Sequence, residues 1–250
     1  MDMNMKNLTI VSTLVLGSLA VQSASAAIAL DRTRVVYNGS DKSLTLSIEN
    51  KNNVLPYLAQ AWLEDISGNK VSSPVIALPP IQRVEPGTKS QIKLQGITSA
   101  LNALPQDRES VYYFNLREIP PRTNKANTLQ LALQTRIKLF YRPTALAVSN
   151  TDKPFQEKVT LTRSGNVYTV NNPTPYYVTI INAANNTKAL PGNSFKPFMV
   201  PPKGQAPIGV NADAIGSSPV LTYINDFGGR PKLIFKCNGA TCSVASSTKG

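Results

Sequence analysis

Two cysteines, Cys237 and Cys242, are the only side chains in this 250-residue sequence that could form a disulfide. They enclose an Asn-Gly pair at Asn238 and Gly239, which is a strong signal for a tight turn. The spacing therefore predicts a disulfide that closes a hairpin near the C-terminus, and so short a ring contributes about 2 kcal/mol by loop-closure arithmetic. The alternative is a redox pair or half of a metal site, which would need further partners that the sequence does not offer.

The sequence contains no histidine. A Ser-His-Asp triad, a Cys-His dyad and a histidine-ligated metal centre are therefore excluded. Carboxylate chemistry stays open, but the 14 acidic residues are scattered and show no recognisable pairing. We predict a binding protein with no catalytic residues, no metal site and no cofactor. An exported enzyme is the weaker alternative.

The first 26 residues have the pattern of an export signal. Lys6 precedes a mainly apolar run over residues 8–21, and residues 24–26 (Ala-Ser-Ala) form a small-x-small cleavage sequence. The apolar run is interrupted by hydroxyl side chains and is shorter than the roughly 20 residues that a membrane-spanning helix needs. We predict a signal peptide over residues 1–26, a mature chain that starts at Ala27, and no membrane insertion.

The charge balance is strongly basic, with 26 Lys and Arg against 14 Asp and Glu and a net charge of +12. In a cytosolic protein this balance would favour nucleic-acid binding. Export and the lack of a dense basic run argue against it, so we expect no nucleic-acid partner. A solvated basic surface and attraction to acidic partners in the same compartment both stay open.

Strand signals dominate the chain, and helical periodicity is nearly absent. Short alternating or aromatic and apolar runs recur every 8 to 15 residues or so, with turn signals between them, which is typical of a β-sandwich. The runs form two sets, at residues 44–48, 57–63, 92–94 and 111–116, and at residues 159–162, 167–170, 177–181, 220–224 and 233–235.

The two sets of runs are separated by Arg142-Pro143 and by the polar residues 149–151. Proline interrupts the hydrogen bonding of a β-ladder, and a polar stretch is typical of a linker. We predict an all-β protein with one immunoglobulin-like domain at residues 27–148 and a second at residues 149–250.

Residues 129–141 contain neither glycine nor proline and predict one unusually long strand. Leu129, Leu131 and Leu133 fall on one face of it, and strict alternation places Lys138 on the other face unless a bulge near Thr135 intervenes. One interpretation is an ordinary long core strand. The other is an edge strand that offers its leucines to a groove in another protein, with backbone hydrogen bonds supplying affinity. Such an edge could also pair with a second copy of the chain.

Eight blocks of sequence, taken together, resemble the PapD-like family of periplasmic pilus-assembly chaperones. The resemblance spans residues 27–250 and implies a periplasmic location and two immunoglobulin-like β-sandwich domains set at an angle, with a cleft between them. The blocks are residues 27–34, 55–62, 79–83, 104–110, 114–121 and 134–143 in the first domain, and residues 172–179 and 223–231 in the second.

The resemblance implies a binding site for a pilus subunit. Arg34 and Lys138 match the pair that anchors the C-terminal carboxylate of a bound subunit, a group that suits charge-assisted donors. Leu129, Leu131 and Leu133 match the residues of the donated strand.

Two further features follow from the resemblance. Glu109, Arg142 and Asp226 match a charge cluster that holds the domains in their relative orientation. The short segment at residues 120–127 resembles that of family members that build rod-like pili.

The function implied is a chaperone that binds pilus subunits and the adhesin by donor-strand complementation and delivers them to an outer-membrane usher. The sequence has no Gly-x-x-x-x-Gly-Lys-Ser/Thr motif for ATP, so the free energy would come from subunit folding and strand exchange. A pilus subunit or adhesin is a second interpretation, but it would be one incomplete domain with its donor segment at the N-terminus. A generic exported binding module is the third.

Overall fold

A computed structural model of the chain describes residues 26–123, 129–149, 153–189 and 195–250. Most of the predicted signal peptide, residues 1–25, lies outside the described residues, as do residues 124–127 of the segment at 120–127. Both interpretations stay predictions. No helix within the described ranges has the length and apolar character that crossing a membrane requires.

Within the described residues, the first domain has ten strands and one short helix, α1 (Thr98–Asn102). The strands are β1 (Ile28–Leu30), β2 (Arg34–Asn38), β3 (Ser43–Asn50), β4 (Tyr57–Glu64), β5 (Lys70–Val71), β6 (Val75–Leu78), β7 (Ile81–Val84), β8 (Lys89–Gly96), β9 (Ser110–Ile119) and β10 (Gln134–Arg142). They form a four-stranded sheet in the order β1-β3-β8-β6 and a six-stranded sheet in the order β2-β10-β9-β4-β5, with β7 also paired to β4. One hydrophobic core draws buried residues from both sheets.

Alternation along β10 decides which side chains reach this core. Ile137, Leu139 and Tyr141 are buried in it. Because successive side chains of a strand point to opposite faces, Arg136 and Lys138 lie on the outer face of the six-stranded sheet. The pairing of β10 with β9 runs without a register shift from Gln134 to Tyr141, so the strand has no bulge near Thr135.

In the part of the chain that the structure describes, the second domain has eight strands, a short helix α2 (Ala212–Ile215) and one 3₁₀ turn, Phe155–Lys158, before its first strand. Another 3₁₀ turn, Thr144–Leu146, follows β10. The strands are β11 (Thr160–Ser164), β12 (Val167–Asn172), β13 (Val178–Ala184), β14 (Phe198–Val200), β15 (Gly204–Pro207), β16 (Val220–Ile224), β17 (Lys232–Asn238) and β18 (Thr241–Ser247). They form one continuous sheet in the order β14-β13-β16-β17-β18-β11-β12-β15. Only three residues join β14 to β15, so the two edges of the sheet come together around a second core.

The structure confirms the predicted all-β, two-domain architecture, and every predicted strand run overlaps an observed strand. The placement of the exact boundary between residues 148 and 149 stays a prediction. Cys237 and Cys242 form the predicted disulfide, across the hairpin of β17 and β18. Gly239 has a φ of 60° in that turn, a conformation that glycine adopts without steric cost.

The predicted long strand over residues 129–141 is wrong at its N-terminal end, because β10 begins at Gln134. Only the carbonyl of Leu133 continues the ladder, accepting a hydrogen bond from the Glu118 N–H at 3.0 Å. The neighbouring strand β9 ends at Ile119, and Pro120 and Pro121 follow it. Proline has no N–H to donate, so the ladder with β9 cannot be extended toward Leu129.

Candidate functional site

Two cations from different parts of the sequence lie side by side on the outer face of the six-stranded sheet. The parallel pairing of β2 with β10 places Arg34 directly beside Lys138. Arg34 is buried, with 8% of its surface exposed, and its Nη1 donates to the carbonyl of Ile224 in the second domain at 3.0 Å. Lys138 is half-buried. The structure thus brings together the two predicted anchor residues.

Arg34 and Lys138 take no part in the salt bridges of the described residues, although Glu109 and Asp226 act on Arg34 from a longer distance. Among the described residues, no carboxylate lies within salt-bridge distance of either side chain. The Nε of Arg34 is buried and has no hydrogen-bond acceptor. Burial lowers the pKa of Lys138, and the positive charges of Arg34 and Arg136 lower that pKa further. An anion bound between the two cations would relieve both the repulsion and the unsatisfied donor.

Next to this pair, one edge of β10 is open. Strand β2 covers that edge only over residues 138–142, whereas β9 pairs with the opposite edge from residue 134. Within the described residues, positions 134–137 of β10 therefore have a strand on one side only. Unpaired backbone groups of this kind are a template for the addition of another strand.

The three predicted donor leucines precede this open edge. Leu129, Leu131 and Leu133 are 83%, 61% and 38% exposed and belong to neither core. The interpretation of this segment as part of an ordinary core strand is therefore wrong. Because β10 has no bulge, Lys138 keeps to the face opposite Ile137 and Leu139.

A cleft of about 1000 Å³ lies between the two domains. The first domain contributes Arg34 and Arg142 to its lining, and the second contributes Tyr223, Asp226 and Phe227. Its volume lies at the upper end of the range of ligand pockets, so it has room for several residues of a polypeptide.

Glu109, Arg142 and Asp226, the three residues of the charge cluster that the resemblance implies, meet at the junction of the domains. The Arg142 Nη2 lies 2.8 Å from Glu109 Oε1, and its Nη1 lies 2.8 Å from Asp226 Oδ2. The second oxygen of Glu109 accepts a hydrogen bond from the Tyr177 N–H at 2.7 Å. Burial raises the pKa of Glu109 to about 7, against the opposing effects of Arg142 and the Tyr177 N–H.

The described part of the chain offers no cluster of three or more His, Cys, Asp or Glu side chains that could hold a metal ion. The site itself presents two cations, open backbone groups and exposed leucines. This combination suits a polypeptide ligand with a free carboxylate.

Comparison with known protein families shows which family the chain belongs to. Residues 27–147 match the family described as pili and flagellar-assembly chaperone, PapD N-terminal domain, and residues 154–235 match pili assembly chaperone PapD, C-terminal domain. The chain belongs to the PapD family of pilus-assembly chaperones. Its open strand edge and cation pair are therefore features of a family member.

Individual relatives cover most of the chain. It is 53% identical over 222 residues to the probable fimbrial chaperone YfcS of Escherichia coli K12, covering 89% of this chain and 87% of YfcS. It is 50% identical over 225 residues to the chaperone protein PapD of Escherichia coli, covering 90% and 92%. Among solved structures, a chain of the Salmonella enterica SafA pilin in complex with the SafB chaperone matches with a TM-score of 0.68 and 25% identity, covering 84% of this chain and 95% of that chain.

The structure of this PapD-family chain also shows site residues that sequence reasoning missed. Phe227 lines the cleft and is 85% exposed. The aromatic rings of Phe140 and Tyr177 meet across the domain junction with 5.8 Å between their centroids. The residues Asn225 and Gly228-Gly229 are turn signals that place Phe227 on a surface loop, but nothing local in the sequence shows that this loop faces the cleft.

Proposed function

We propose that this protein is a periplasmic chaperone that captures pilus subunits by lending them a strand and by holding their C-terminal carboxylate at Arg34 and Lys138. One observation carries the proposal: the open edge of β10 lies directly beside two cations that form no salt bridge among the described residues. Membership of the PapD family and the likeness to a pilin–chaperone complex support it.

Arg34 and Lys138 present the hydrogen-bond donors that an anchor for a carboxylate requires. A carboxylate that leaves water needs strong donors in return, and charge-assisted hydrogen bonds from a guanidinium and an ammonium are the strongest that side chains offer. The Nε of Arg34 is buried without an acceptor, so a carboxylate would satisfy a donor that otherwise costs free energy.

The strand that is lent consists of the open part of β10 together with residues 129–133. Its backbone would pair with an incomplete subunit, while Leu129, Leu131 and Leu133 fill the hydrophobic groove of that subunit. The leucines are exposed, so they can enter a groove without leaving a cavity in the chaperone. In this mode backbone hydrogen bonds supply affinity and the alternating side chains supply specificity.

The cluster of Glu109, Arg142 and Asp226 would hold the domains in the orientation that the cleft requires. Arg142 joins a carboxylate of the first domain to one of the second, and both bonds are short. The partners that we propose are pilus subunits, the adhesin and an outer-membrane usher to which the subunits are delivered. Without a subunit, the same edge could pair with a second copy of the chain.

The test is the capture of a subunit by Lys138→Ala and Arg34→Ala variants. Removing one partner of a desolvated charge pair costs about 2 to 5 kcal/mol, so subunit affinity should fall roughly 30-fold or more while the fold stays intact. Lys236→Ala is the matched control, because Lys236 is exposed on β17 of the second domain. The measurement is the amount of subunit that co-purifies with each tagged chain from the periplasm, together with its dissociation constant. Wild-type binding by both variants would refute the anchor.

A further inference from the structure

One buried carboxylate has no role in the capture described above. Glu118 lies near the end of β9, and only 5% of its surface is exposed. Side chains two apart on a strand share one face, so Glu118 lies on the same side of β9 as the core residues Phe114 and Leu116. A charged group at such a position is costly unless a partner compensates it.

The carboxylate of Glu118 faces the N-terminal strand. Its Oε2 accepts a hydrogen bond from the N–H of Ile28, the first residue of β1, at 2.8 Å. Among the residues that the structure describes, no Lys or Arg side chain lies within salt-bridge distance of Glu118. A neutral N–H compensates a buried negative charge less well than a counter-ion does.

A cation arises beside Glu118 when the predicted signal peptide is removed. Hydrolysis of the peptide bond between Ala26 and Ala27 leaves a carboxylate on the signal peptide and an amine on Ala27, which takes up a proton near neutral pH. Three backbone bonds separate the nitrogens of Ala27 and Ile28, so these atoms are less than about 4 Å apart. The new ammonium therefore lies within roughly 7 Å of Glu118 Oε2.

Both members of this pair are held by the rest of the first domain. Ala27 is buried, and its carbonyl accepts a hydrogen bond from the Lys51 N–H at 2.7 Å. The Glu118 N–H donates to the carbonyl of Leu133, the last of the exposed leucines, at 3.0 Å. A charge pair at this place would fasten β1 to the end of β9, where the leucine segment joins.

The neighbouring charged side chains leave Glu118 as the partner of such an ammonium. On and after β3, which pairs with β1, Glu49 and Lys51 form an ion pair with each other at 2.8 Å. Lys89 on β8 also acts on Glu49. Arg117 precedes Glu118 on β9 and points to the opposite face of the sheet, where it binds Gln134.

We infer that Glu118 is the binding site for the α-ammonium that signal-peptide removal frees at Ala27, so that the first domain reaches its full stability only after processing. In the precursor the nitrogen of Ala27 belongs to an uncharged peptide bond and cannot neutralise Glu118. The inference rests on the predicted cleavage after Ala26 and does not depend on subunit capture.

The test compares the exported wild-type chain with a chain that carries Ser-Ser inserted between Ala26 and Ala27. The insertion keeps the cleavage sequence and moves the ammonium about 7 Å along the chain. Mass spectrometry should find that the wild-type chain begins at Ala27, and another start would overturn the inference. In urea unfolding, the insertion should lower the folding equilibrium constant about tenfold, as the loss of one charge-assisted interaction permits.

Two substitutions show whether Glu118 is the partner of the ammonium. In Glu118→Gln, which keeps the shape of the side chain, the insertion should change the folding equilibrium constant less than twofold. In Glu85→Gln, the matched control at an exposed acid, the insertion should still lower this constant about tenfold. A tenfold loss on insertion in Glu118→Gln as well would overturn the inference.

A pH titration detects the charge pair directly and needs no substitution. NMR signals of the N-terminal residue report the protonation of its amine between pH 6 and pH 10. A nearby carboxylate favours the protonated amine, so the wild-type amine should titrate about one pH unit above that of the insertion chain. Equal midpoints in the two chains would overturn the inference, even if Glu118→Gln does not fold.

Discussion

The two halves of β10 differ in what surrounds them. Over residues 138–141 the strand lies between β2 and β9, and its last residue, Arg142, pairs with β2 and enters the buried cluster at the domain junction. Over residues 134–137 it pairs with β9 alone, and the leucines before it are exposed and belong to no strand. One half of β10 is thus part of the molecule's own structure, and the other half is open to a partner.

This difference shows how a protein can keep an open strand edge without losing stability. Exposed edges are usually suppressed because they template aggregation. Here the half of β10 that β2 covers, residues 138–142, holds the strand in register through the core residues Leu139 and Tyr141. The open half, residues 134–137, therefore needs no packing of its own. Substitutions in the two halves should therefore change different properties: stability in the covered half and capture in the open half.

The largest change in stability should come from Arg142→Ala. The variant leaves Glu109 buried without its counter-ion, a type of change that costs about 3 to 5 kcal/mol of unfolding free energy. The loss should be smaller at pH 5 than at pH 8, because burial raises the pKa of Glu109 and the acid can become neutral. Urea unfolding of the wild type and the variant at pH 5 and pH 8 measures this loss of unfolding free energy.

The control is Arg83→Ala, which breaks the exposed ion pair with Glu85 and should cost less than about 1 kcal/mol. Equal losses of unfolding free energy in Arg142→Ala and Arg83→Ala would contradict the conclusion that the covered half of β10 stabilises the fold.

The next effect concerns the pH dependence of stability. Burial raises the pKa of Glu109 to about 7 in the folded protein, from an ordinary value of 4.5. Between these values the folded state binds more protons than the unfolded state, so this group's contribution to stability is complete below pH 4.5 and is lost as the pH rises through 7. From pH 4.5 to pH 8.5 the wild type should lose roughly 3 kcal/mol relative to Glu109→Gln.

Urea unfolding of the wild type and Glu109→Gln at five pH values across this range gives the difference curve. A flat curve would mean that Arg142 keeps the Glu109 carboxylate ionised in the folded state. The curve would then contradict the raised pKa of Glu109.

The smallest change in stability should come from the open half. Replacing Leu129, Leu131 and Leu133 together by serine removes side chains that belong to neither core, so the unfolding free energy should change by less than about 0.5 kcal/mol per site. Subunit capture should nevertheless be lost, because the groove of the subunit is no longer filled. Thermal unfolding and a periplasmic pull-down measure the two effects. Ile66→Ser, at a site with exposure similar to that of Leu131, should change neither. A large loss of stability in the triple variant would show that the leucines pack within their own chain.

Local patterns in the sequence predicted much of the secondary structure. Alternation and aromatic runs identified β3, β4, β9 and β16, since side chains two apart on a strand share one face. The Asn238-Gly239 pair predicted the hairpin that the disulfide closes. The same reasoning placed the start of β10 five residues too early, because a strand ends where its neighbour stops pairing and not where its own alternation stops.

The sequence by itself therefore determined the strands, the disulfide hairpin and the absence of histidine chemistry, all of which depend on residue type and short-range spacing. Only the tertiary structure decided that Arg34 lies beside Lys138, that Glu109 is buried against Arg142, and that Phe227 faces the cleft. These features arise from strand pairing and domain contacts between residues far apart in the chain. Whether a side chain is buried, and whether a counter-ion lies near it, depends on residues from many parts of the chain. A local sequence pattern does not contain this information.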